Sequence, residues 1–170
     1  AAGSIGLRSF PGSDSTAYME SLRAKAKEKF GKRLDELSLI QRAIIVKSAG
    51  EGEKQPSTMA QRTRAQEMDD LRQKRLSKAL NTESKATLKQ LGKEVPSYDW
   101  TISIGGVKVP LTDKQADQYE RLLAEEYDKA IKTWKPGVLK NAPAPARDKY
   151  LTDSLEAAKK RANARLIQAK

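Results

Sequence analysis

Apolar side chains along most of this chain recur at intervals of three or four residues, which places them on one face of an α-helix. The first series is Tyr18, Leu22, Ala26 and Phe30, and after Gly31 the spacing continues through Leu34, Leu37, Ile40 and Ile44. Gly50 is expected to end this region, because glycine readily adopts the left-handed conformation of a helix end. Only 38% of the 170 residues are hydrophobic, so the helices have narrow apolar faces and little material for a deep α/β core. A mainly α fold is therefore predicted.

Two capping boxes predict where further helices begin. The segments Thr58–Gln61 and Thr112–Gln115 each pair a threonine with a glutamine three residues later, an arrangement that satisfies free amides at a helix start. A short helix is expected between Asn81 and Gly92. The helix after the first box has a thin apolar face, made of Met68, Leu71, Leu76 and Leu80. The helix after the second box has the broadest face, made of Ala116, Tyr119, Leu123, Tyr127, Ala130 and Trp134.

A β-hairpin is predicted over about residues 101–111, where polar and apolar residues alternate with the two-residue period of a strand. Gly105 and Gly106 form a two-residue connection suited to the tight turns of hairpins. We expect the hairpin to pack on the following helix, with its apolar face over the stripe from Tyr119 to Trp134. In an alternative that stays open, an exposed edge pairs with a neighbouring subunit. The candidate interface residues are then Trp100, Ile102, Ile104, Val107 and Val109.

The last part of the chain is expected to hold a proline-rich connector and one more helix. Residues 141–146 are Asn-Ala-Pro-Ala-Pro-Ala, a composition typical of an extended segment of polyproline character. The final helix is expected to be capped by Thr152 or Asp153. Its apolar face is made of Tyr150, Leu151, Leu155, Ala158, Ala162 and Leu166. The patterns divide the chain into an irregular lead-in with a helical region (1–94), the hairpin with its helix (95–136), and the connector with the C-terminal helix (137–170).

The residue types present exclude most common catalytic sites. The chain has no cysteine and no histidine, which removes thiolate nucleophiles, Ser-His-Asp triads and nearly all zinc sites. No phosphate-binding loop of the GxxxxGK[ST] or GxGxxG type is present. The carboxylate pairs Asp69-Asp70 and Glu125-Glu126 lie among lysines and arginines, so a solvated face is favoured over a metal or glycosidase site. We predict no catalytic, cofactor-binding or metal-binding residue and no enzyme activity.

Positive charge is the property that bears most on partners. Lysine and arginine number 33 against 22 acidic residues, which gives a net charge of +11. This excess is spread along the chain, so we expect at most salt-sensitive, sequence-independent attraction to nucleic acid, without base readout. A well-solvated basic surface is the favoured interpretation. The alternative is nucleic-acid contact on the outer side of the last helix, through Lys159, Lys160, Arg161 and Arg165. The longest apolar run, Ala43–Val46, is far too short to span a membrane.

The segment from Val95 to Lys170 resembles a module of tailed bacteriophages. The features that carry the resemblance are Trp-Thr-Ile-Ser-Ile-Gly-Gly-Val-Lys-Val-Pro-Leu-Thr at 100–112, then Gln118-Tyr119, Tyr127, and Tyr150–Asp153 ahead of an Ala- and Lys-rich helix. This order of elements is similar to the C-terminal module of internal virion (ejection), tape-measure-like and large polyvalent phage proteins. The chain departs from that pattern in the Pro-Ala connector between its last two helices.

The resemblance implies a structural role in a phage virion. Proteins of this kind lie in the capsid interior, portal or tail, and often pass into the host cell with the genome. The implied partners are other virion proteins and further copies of the chain in a homo-oligomer, with non-specific DNA as an additional contact. No cofactor is implied. Two alternatives stay open, namely a basic helical protein that packages or compacts nucleic acid, and a helical scaffold or adaptor with protein partners only.

Overall fold

The computed structural model describes residues 6–50, 58–96 and 98–169. These residues form seven α-helices, a 3-10 turn over Leu34–Glu36 and one two-stranded antiparallel sheet. The helices are α1 (Thr16–Phe30), α2 (Leu39–Ala49), α3 (Met59–Ala79), α4 (Thr82–Leu91), α5 (Asp113–Lys132), α6 (Pro136–Leu139) and α7 (Ala144–Gln168), and the strands are β1 (Thr101–Ile104) and β2 (Val107–Pro110). The predicted mainly α fold with one β-hairpin is confirmed.

The chain divides into two compact units, and each unit is built from two separate stretches of sequence. The first unit comprises Ala1–Gln66 and Asp99–Asp117, and the second comprises Glu67–Tyr98 and Gln118–Lys170. Two of the three unit boundaries fall inside α3 and α5, and the third lies between α4 and the first strand. The three consecutive stretches inferred from composition, 1–94, 95–136 and 137–170, stay a prediction.

The core of the first unit forms between α1, the 3-10 turn and α2. Gly31, where the sequence pattern is interrupted, ends α1 in the left-handed conformation, with φ 65° and ψ 23°. Its amide donates to the Lys27 carbonyl at 2.9 Å, which closes the last helical turn. The chain then reverses, so that apolar residues before, within and after α1 pack together. The buried residues of this core are Phe10, Leu22, Ala26, Leu34, Leu37 and Ile45.

The apolar face predicted for α2 is wrong in part. Ile40 and Ile44 are 49% and 43% exposed, whereas Ile45 is fully buried. The 3-10 turn interrupts the helical spacing, and α2 restarts at its own cap, Ser38, so its phase does not continue that of α1. Gly50 ends α2 as expected, but at φ 74° and ψ −171° and not in the left-handed helical conformation that was predicted.

Arg42 fills a core position of the first unit and is only 1% exposed. Its Nη1 donates to the Pro110 carbonyl at 2.8 Å and to Gln115 Oε1 at 2.9 Å, and its Nη2 donates to the Leu37 carbonyl at 2.9 Å. Burial lowers the pKa of Arg42 to about 10, while the carboxylate of Asp35 opposes that shift. The guanidinium is therefore charged at neutral pH and connects α2 to β2 and to the start of α5.

The hairpin forms as its glycine turn predicts. Gly105 and Gly106 have φ values of 58° and 83°, the positive angles that a tight two-residue hairpin turn requires. The strands pair in antiparallel register, with Ile102 opposite Val109, and both side chains are buried. Within the first unit the sheet packs against α2, a contact partner that the sequence did not predict. Trp100, just before β1, has a φ of 61°, which is unusual for a bulky residue.

The second unit includes α5 from Gln118 onward, and side-chain hydrogen bonds join this helix to α3, α4 and α7. Tyr119, Leu123 and Tyr127 are fully buried, so the stripe predicted for this helix is confirmed. Asp128 Oδ1 accepts hydrogen bonds from the Asn81 amide at 3.1 Å and from Ser84 Oγ at 2.7 Å, which joins α5 to the start of α4. Other buried residues of this unit are Leu76, Leu80, Leu88, Leu91, Val95, Tyr98, Trp134, Leu151, Leu155 and Leu166.

The apolar face predicted for α3 is narrower than expected. Leu76 and Leu80 are buried, but Leu71 is 45% exposed. Arg72 takes the buried position beside Leu76 instead. The predicted break at Asn81 is confirmed, because the Asn81 side chain accepts from the Ser84 amide and caps α4.

The connector predicted over residues 141–146 is wrong, because α7 already begins at Ala144. Pro145 lies in the first turn of that helix, where a backbone amide has no intrahelical acceptor and proline is tolerated. The Arg147 amide donates to the Pro143 carbonyl at 2.9 Å and closes this first turn. The proline-alanine segment therefore starts the last helix.

The predicted caps of the last helix are wrong for the same reason. Thr152 and Asp153 lie inside α7, where Asp153 Oδ2 accepts from Lys149 Nζ at 2.9 Å. Tyr150 is exposed and does not share the apolar face. The rest of the predicted face is buried, namely Leu151, Leu155, Ala158, Ala162 and Leu166.

None of the helices in the described parts of the chain combines the length and the hydropathy that crossing a bilayer demands. The sequence-based prediction of no membrane span in this chain agrees with that finding.

Candidate nucleic-acid interface

The four basic residues predicted to contact nucleic acid lie around α7 in different environments. The buried face of α7 contains Ala158 and Ala162, so residues on other sides of the helix are directed away from the core. Lys160 is exposed and Lys159 is half-buried. Arg161 and Arg165 instead lie one turn apart on a side of α7 that contacts α5. The structure therefore separates the two lysines from the two arginines.

Glu126 of α5 is the carboxylate that holds these two arginines. Its side chain is only 5% exposed, and its two oxygens lie 3.0 Å from Arg161 Nε and 3.0 Å from Arg165 Nη1. Lys129 Nζ lies 3.6 Å from the same carboxylate. Burial raises the pKa of Glu126, but the hydrogen bonds from both arginines and the charge of Lys129 outweigh it, so the pKa lies below its ordinary value.

This ion-pair cluster gives Arg161 and Arg165 a role inside the second unit. Glu125, next to Glu126, also accepts from Arg165 Nη1, at 2.8 Å. A guanidinium that already satisfies two carboxylates has less to gain from a phosphate than an unpaired ammonium has. Lys160 is the member of the predicted set that is exposed and has no ion pair with another described residue.

Two further pairs of lysines are exposed on the second unit. Lys74 and Lys78 lie four residues apart on α3, on the side opposite the buried Leu76. Lys85 and Lys89 lie four residues apart on α4, and both are exposed. Within the described residues none of these four lysines pairs with a carboxylate. These four lysines were not predicted as contacts, although lysines repeating at i and i+4 are a signal that the sequence contains.

Arginines, in contrast, supply many of the internal ion pairs. Arg75 Nε donates to Glu120 Oε2 at 3.1 Å and joins α3 to α5 in the second unit. In the first unit, Arg8 lies 3.0 Å from Asp113 and 2.9 Å from Asp117. Carboxylates are thus engaged largely by arginines, and the lysines named above are left at the surface.

The hairpin residues predicted as a subunit interface are mostly covered. Trp100, Ile102 and Val109 are buried in the folded chain, so they offer no surface to a neighbouring subunit. Ile104 and Val107 are cross-strand partners beside the turn and are half-buried. Among the predicted interface residues, only Ile104 and Val107 at the tip of the hairpin are therefore accessible to a neighbouring subunit.

The carboxylate pairs considered as chemical sites take part in ion pairs. Asp69 lies 3.6 Å from Arg72, and Glu125 and Glu126 bind the arginines of α7. Among the described residues no group of three or more acidic side chains is arranged to hold a metal ion.

Comparison of the chain with protein-family models, with curated proteins and with solved structures finds no match.

Proposed function

We propose that this protein is a structural component of a tailed-phage virion. It self-associates along the genome path, and its basic side chains contact the phosphates of the DNA backbone. The observation that carries the proposal is that the arginines and the lysines occupy different environments. Arginines such as Arg75 and Arg161 bind carboxylates inside the second unit, while Lys74, Lys78 and Lys160 are exposed and have no ion pair with another described residue. This division leaves much of the +11 charge at the surface.

Surface lysines of this kind favour contact with a polyanion without sequence recognition. A lysine ammonium is a compact point charge on a flexible stem, so it binds phosphate from many directions. Displacing counterions from DNA makes such binding weaken steeply with salt. Recognition of a particular base needs a side chain that makes two hydrogen bonds to the edge of that base, as an arginine does to guanine. Arg161 and Arg165 are held by Glu125 and Glu126, so contact with the backbone is the function that this charge arrangement supports.

Exposed apolar residues support the self-association part of the proposal. Ile40 and Ile44 lie one turn apart on α2 in the first unit, and both are more than 40% exposed. In the second unit Leu71, Val138 and Tyr150 are exposed as well. Exposed apolar side chains that cluster mark surfaces of protein–protein contact. The resemblance of Val95–Lys170 to phage virion modules agrees with a role that depends on assembly.

The DNA contact is tested by measuring duplex affinity at several salt concentrations. We expect the logarithm of the association constant to fall linearly with the logarithm of salt concentration. The double variant Lys74→Ala/Lys78→Ala should reduce the steepness of that line by roughly two units, about one for each ammonium group that no longer neutralises a phosphate.

A matched control removes two lysines whose charge is already balanced. In Lys129→Ala/Lys149→Ala the removed ammonium groups pair with Glu126 and Asp153, so the slope should change much less although the net charge changes equally. Equal slopes for both double variants would contradict backbone contact through α3. A chain that forms a defined oligomer but binds no DNA would favour the scaffold or adaptor alternative. A stable monomer with a steep salt dependence would favour the packaging alternative.

A further inference from the structure

A cavity of about 750 Å³ lies in the first unit, on the side of α1 that faces the 3-10 turn. Its walls come from the segment ahead of α1, from α1 itself and from residues between Gly31 and Glu36. The volume lies within the range of small-molecule sites, which hold ligands of drug or nucleotide size. The function proposed above makes no use of this cavity.

The charged part of the lining is net positive. It contains four basic side chains and two acidic ones, Asp35 and Glu36. Both acidic groups are already engaged by Arg33, whose Nε lies 3.3 Å from Asp35 Oδ1 and 3.0 Å from Glu36 Oε1. The remaining three basic residues are Arg23, Lys27 and Lys32. The cavity thus has one ion-paired cluster with a net charge of −1 and, outside that cluster, three cations that are available to a ligand.

These three cations converge because of where the residues fall on the helix. Arg23 and Lys27 lie four residues apart, so they extend from one side of α1. Lys32 follows directly after the left-handed Gly31 and lines the same cavity. In the described part of the chain no carboxylate forms an ion pair with any of the three. Cations that outnumber the acidic groups of a concave site, and that are not paired with them, favour an anionic ligand.

The rest of the lining is apolar, with two hydroxyl groups. Leu7, Phe10 and Met19 contribute aliphatic, aromatic and thioether surface. Ser13 Oγ accepts a hydrogen bond from the Phe10 amide at 3.0 Å and lies 3.5 Å from Ser9 Oγ. A flat aromatic group would contact the apolar wall, because the thioether of methionine packs favourably against aromatic rings.

We propose that this cavity binds a nucleoside phosphate, with the phosphate between Arg23, Lys27 and Lys32 and the base against Met19 and Leu7. Arginine binds phosphate oxygens through its planar fork of donors, and lysine adds point charge, so the two residue types together suit a terminal phosphate group. The base explains the apolar wall, which inorganic phosphate alone would leave uncovered. The same chemistry is present in a free nucleotide and in the terminal nucleotide of a nucleic-acid strand.

The test is a calorimetric titration of the full chain with dAMP, with inorganic phosphate and with a short 5′-phosphorylated single strand. We expect dAMP or the strand to bind at least tenfold more tightly than inorganic phosphate. Tighter binding of dAMP identifies the free nucleotide as the source, and tighter binding of the strand identifies a strand end. Binding of inorganic phosphate as tight as that of both would overturn the role of the apolar wall. If a fatty-acid anion binds more tightly than both dAMP and the strand, the assignment of a nucleoside phosphate is overturned.

Two matched double variants locate the binding. Arg23→Gln/Lys27→Gln should weaken dAMP binding at least tenfold, while Lys29→Gln/Lys47→Gln removes two exposed charges of the same unit outside the cavity and should change it less than twofold. Met19→Ser should weaken the binding of dAMP but leave the binding of inorganic phosphate unchanged. Equal losses in the two double variants would overturn the site. Duplex binding by Lys74 and Lys78 is measured with separate variants, so either proposal can fail while the other holds.

Discussion

Glu126 is a buried carboxylate whose charge is stabilised by Arg161 and Arg165, so its contribution to stability depends on pH. Because its pKa lies below the ordinary value of 4.5 in the folded chain, the folded state binds the proton less tightly than the unfolded state. The stabilisation is therefore complete above about pH 4.5 and is lost as the pH falls through the pKa of the folded state.

Replacing this carboxylate tests the cluster directly. Glu126→Gln should lower the free energy of unfolding at pH 7 by about 1–3 kcal/mol, because the arginines lose a charged acceptor. Urea denaturation at pH 7 and at pH 3 should give a smaller difference from the parent chain at the acidic pH. Glu125→Gln, the exposed neighbour, is the control and should change stability much less. An equal loss in both variants at pH 7 would contradict the account.

Arg42 provides the corresponding test for the first unit. Arg42→Met has a similar volume but leaves the carbonyls of Leu37 and Pro110 without this donor, while Gln115 Oε1 keeps the hydrogen bond from the Thr112 amide. Since each buried acceptor left unpaired costs roughly 1–3 kcal/mol, we expect the free energy of unfolding to fall by about 2–4 kcal/mol. Lys47→Met, an exposed change on the same helix, should have little effect in the same urea titration. An unchanged midpoint for Arg42→Met would contradict the role assigned to the guanidinium.

Such buried charges could not be predicted from the sequence. Helical spacing treats arginine and glutamate as surface residues, so Arg42 was not among the residues predicted to lie in the core. Its burial depends on acceptors as far as 73 residues away, which no local pattern encodes. The same limit applies to Arg161 and Arg165, whose basic character pointed to nucleic acid while their partner lies 35 and 39 residues away.

The turn of the hairpin is the element whose conformation depends most on individual residues. Gly106 has a φ of 83°, and a Cβ built there meets no atom within 4 Å, so a side chain would be strained only through the backbone. Gly106→Val should therefore lower the free energy of unfolding by about 1–2 kcal/mol. Gly105→Asn is the matched change, because asparagine tolerates the φ of 58° found there. Thermal melting of both variants checks this, and a stable Gly106→Val protein would contradict the turn geometry.

Elements with local signals were predicted well, and elements set by tertiary contact were not. The hairpin and the capping boxes at Thr58 and Thr112 depend on neighbouring residues, and all three are present as predicted. Which face of α2 is buried depends on the 3-10 turn before it. The start of α7 depends on whether Pro145 lies in the first turn of the helix or in a loop. Residue type alone does not distinguish these cases.

Over the whole molecule, charge and exposed apolar surface lead to the proposed role. The sequence predicted the size of the positive charge but not which side chains expose it. The arginines that pair with carboxylates determine which lysines stay unpaired, and that pairing depends on the fold. The apolar residues left exposed, such as Ile40 and Ile44, were likewise predicted to lie in the core. Both features are consequences of folding, and both point toward assembly with other molecules.

We propose that the protein self-associates as a structural component and does not need DNA to do so. Light scattering in moderate salt, with and without duplex DNA, measures the mass of the native assembly. We expect a defined oligomer without DNA, of a mass that fits a ring or tube and that increases further when DNA is added. A monomer that gains mass only when DNA is present would contradict it.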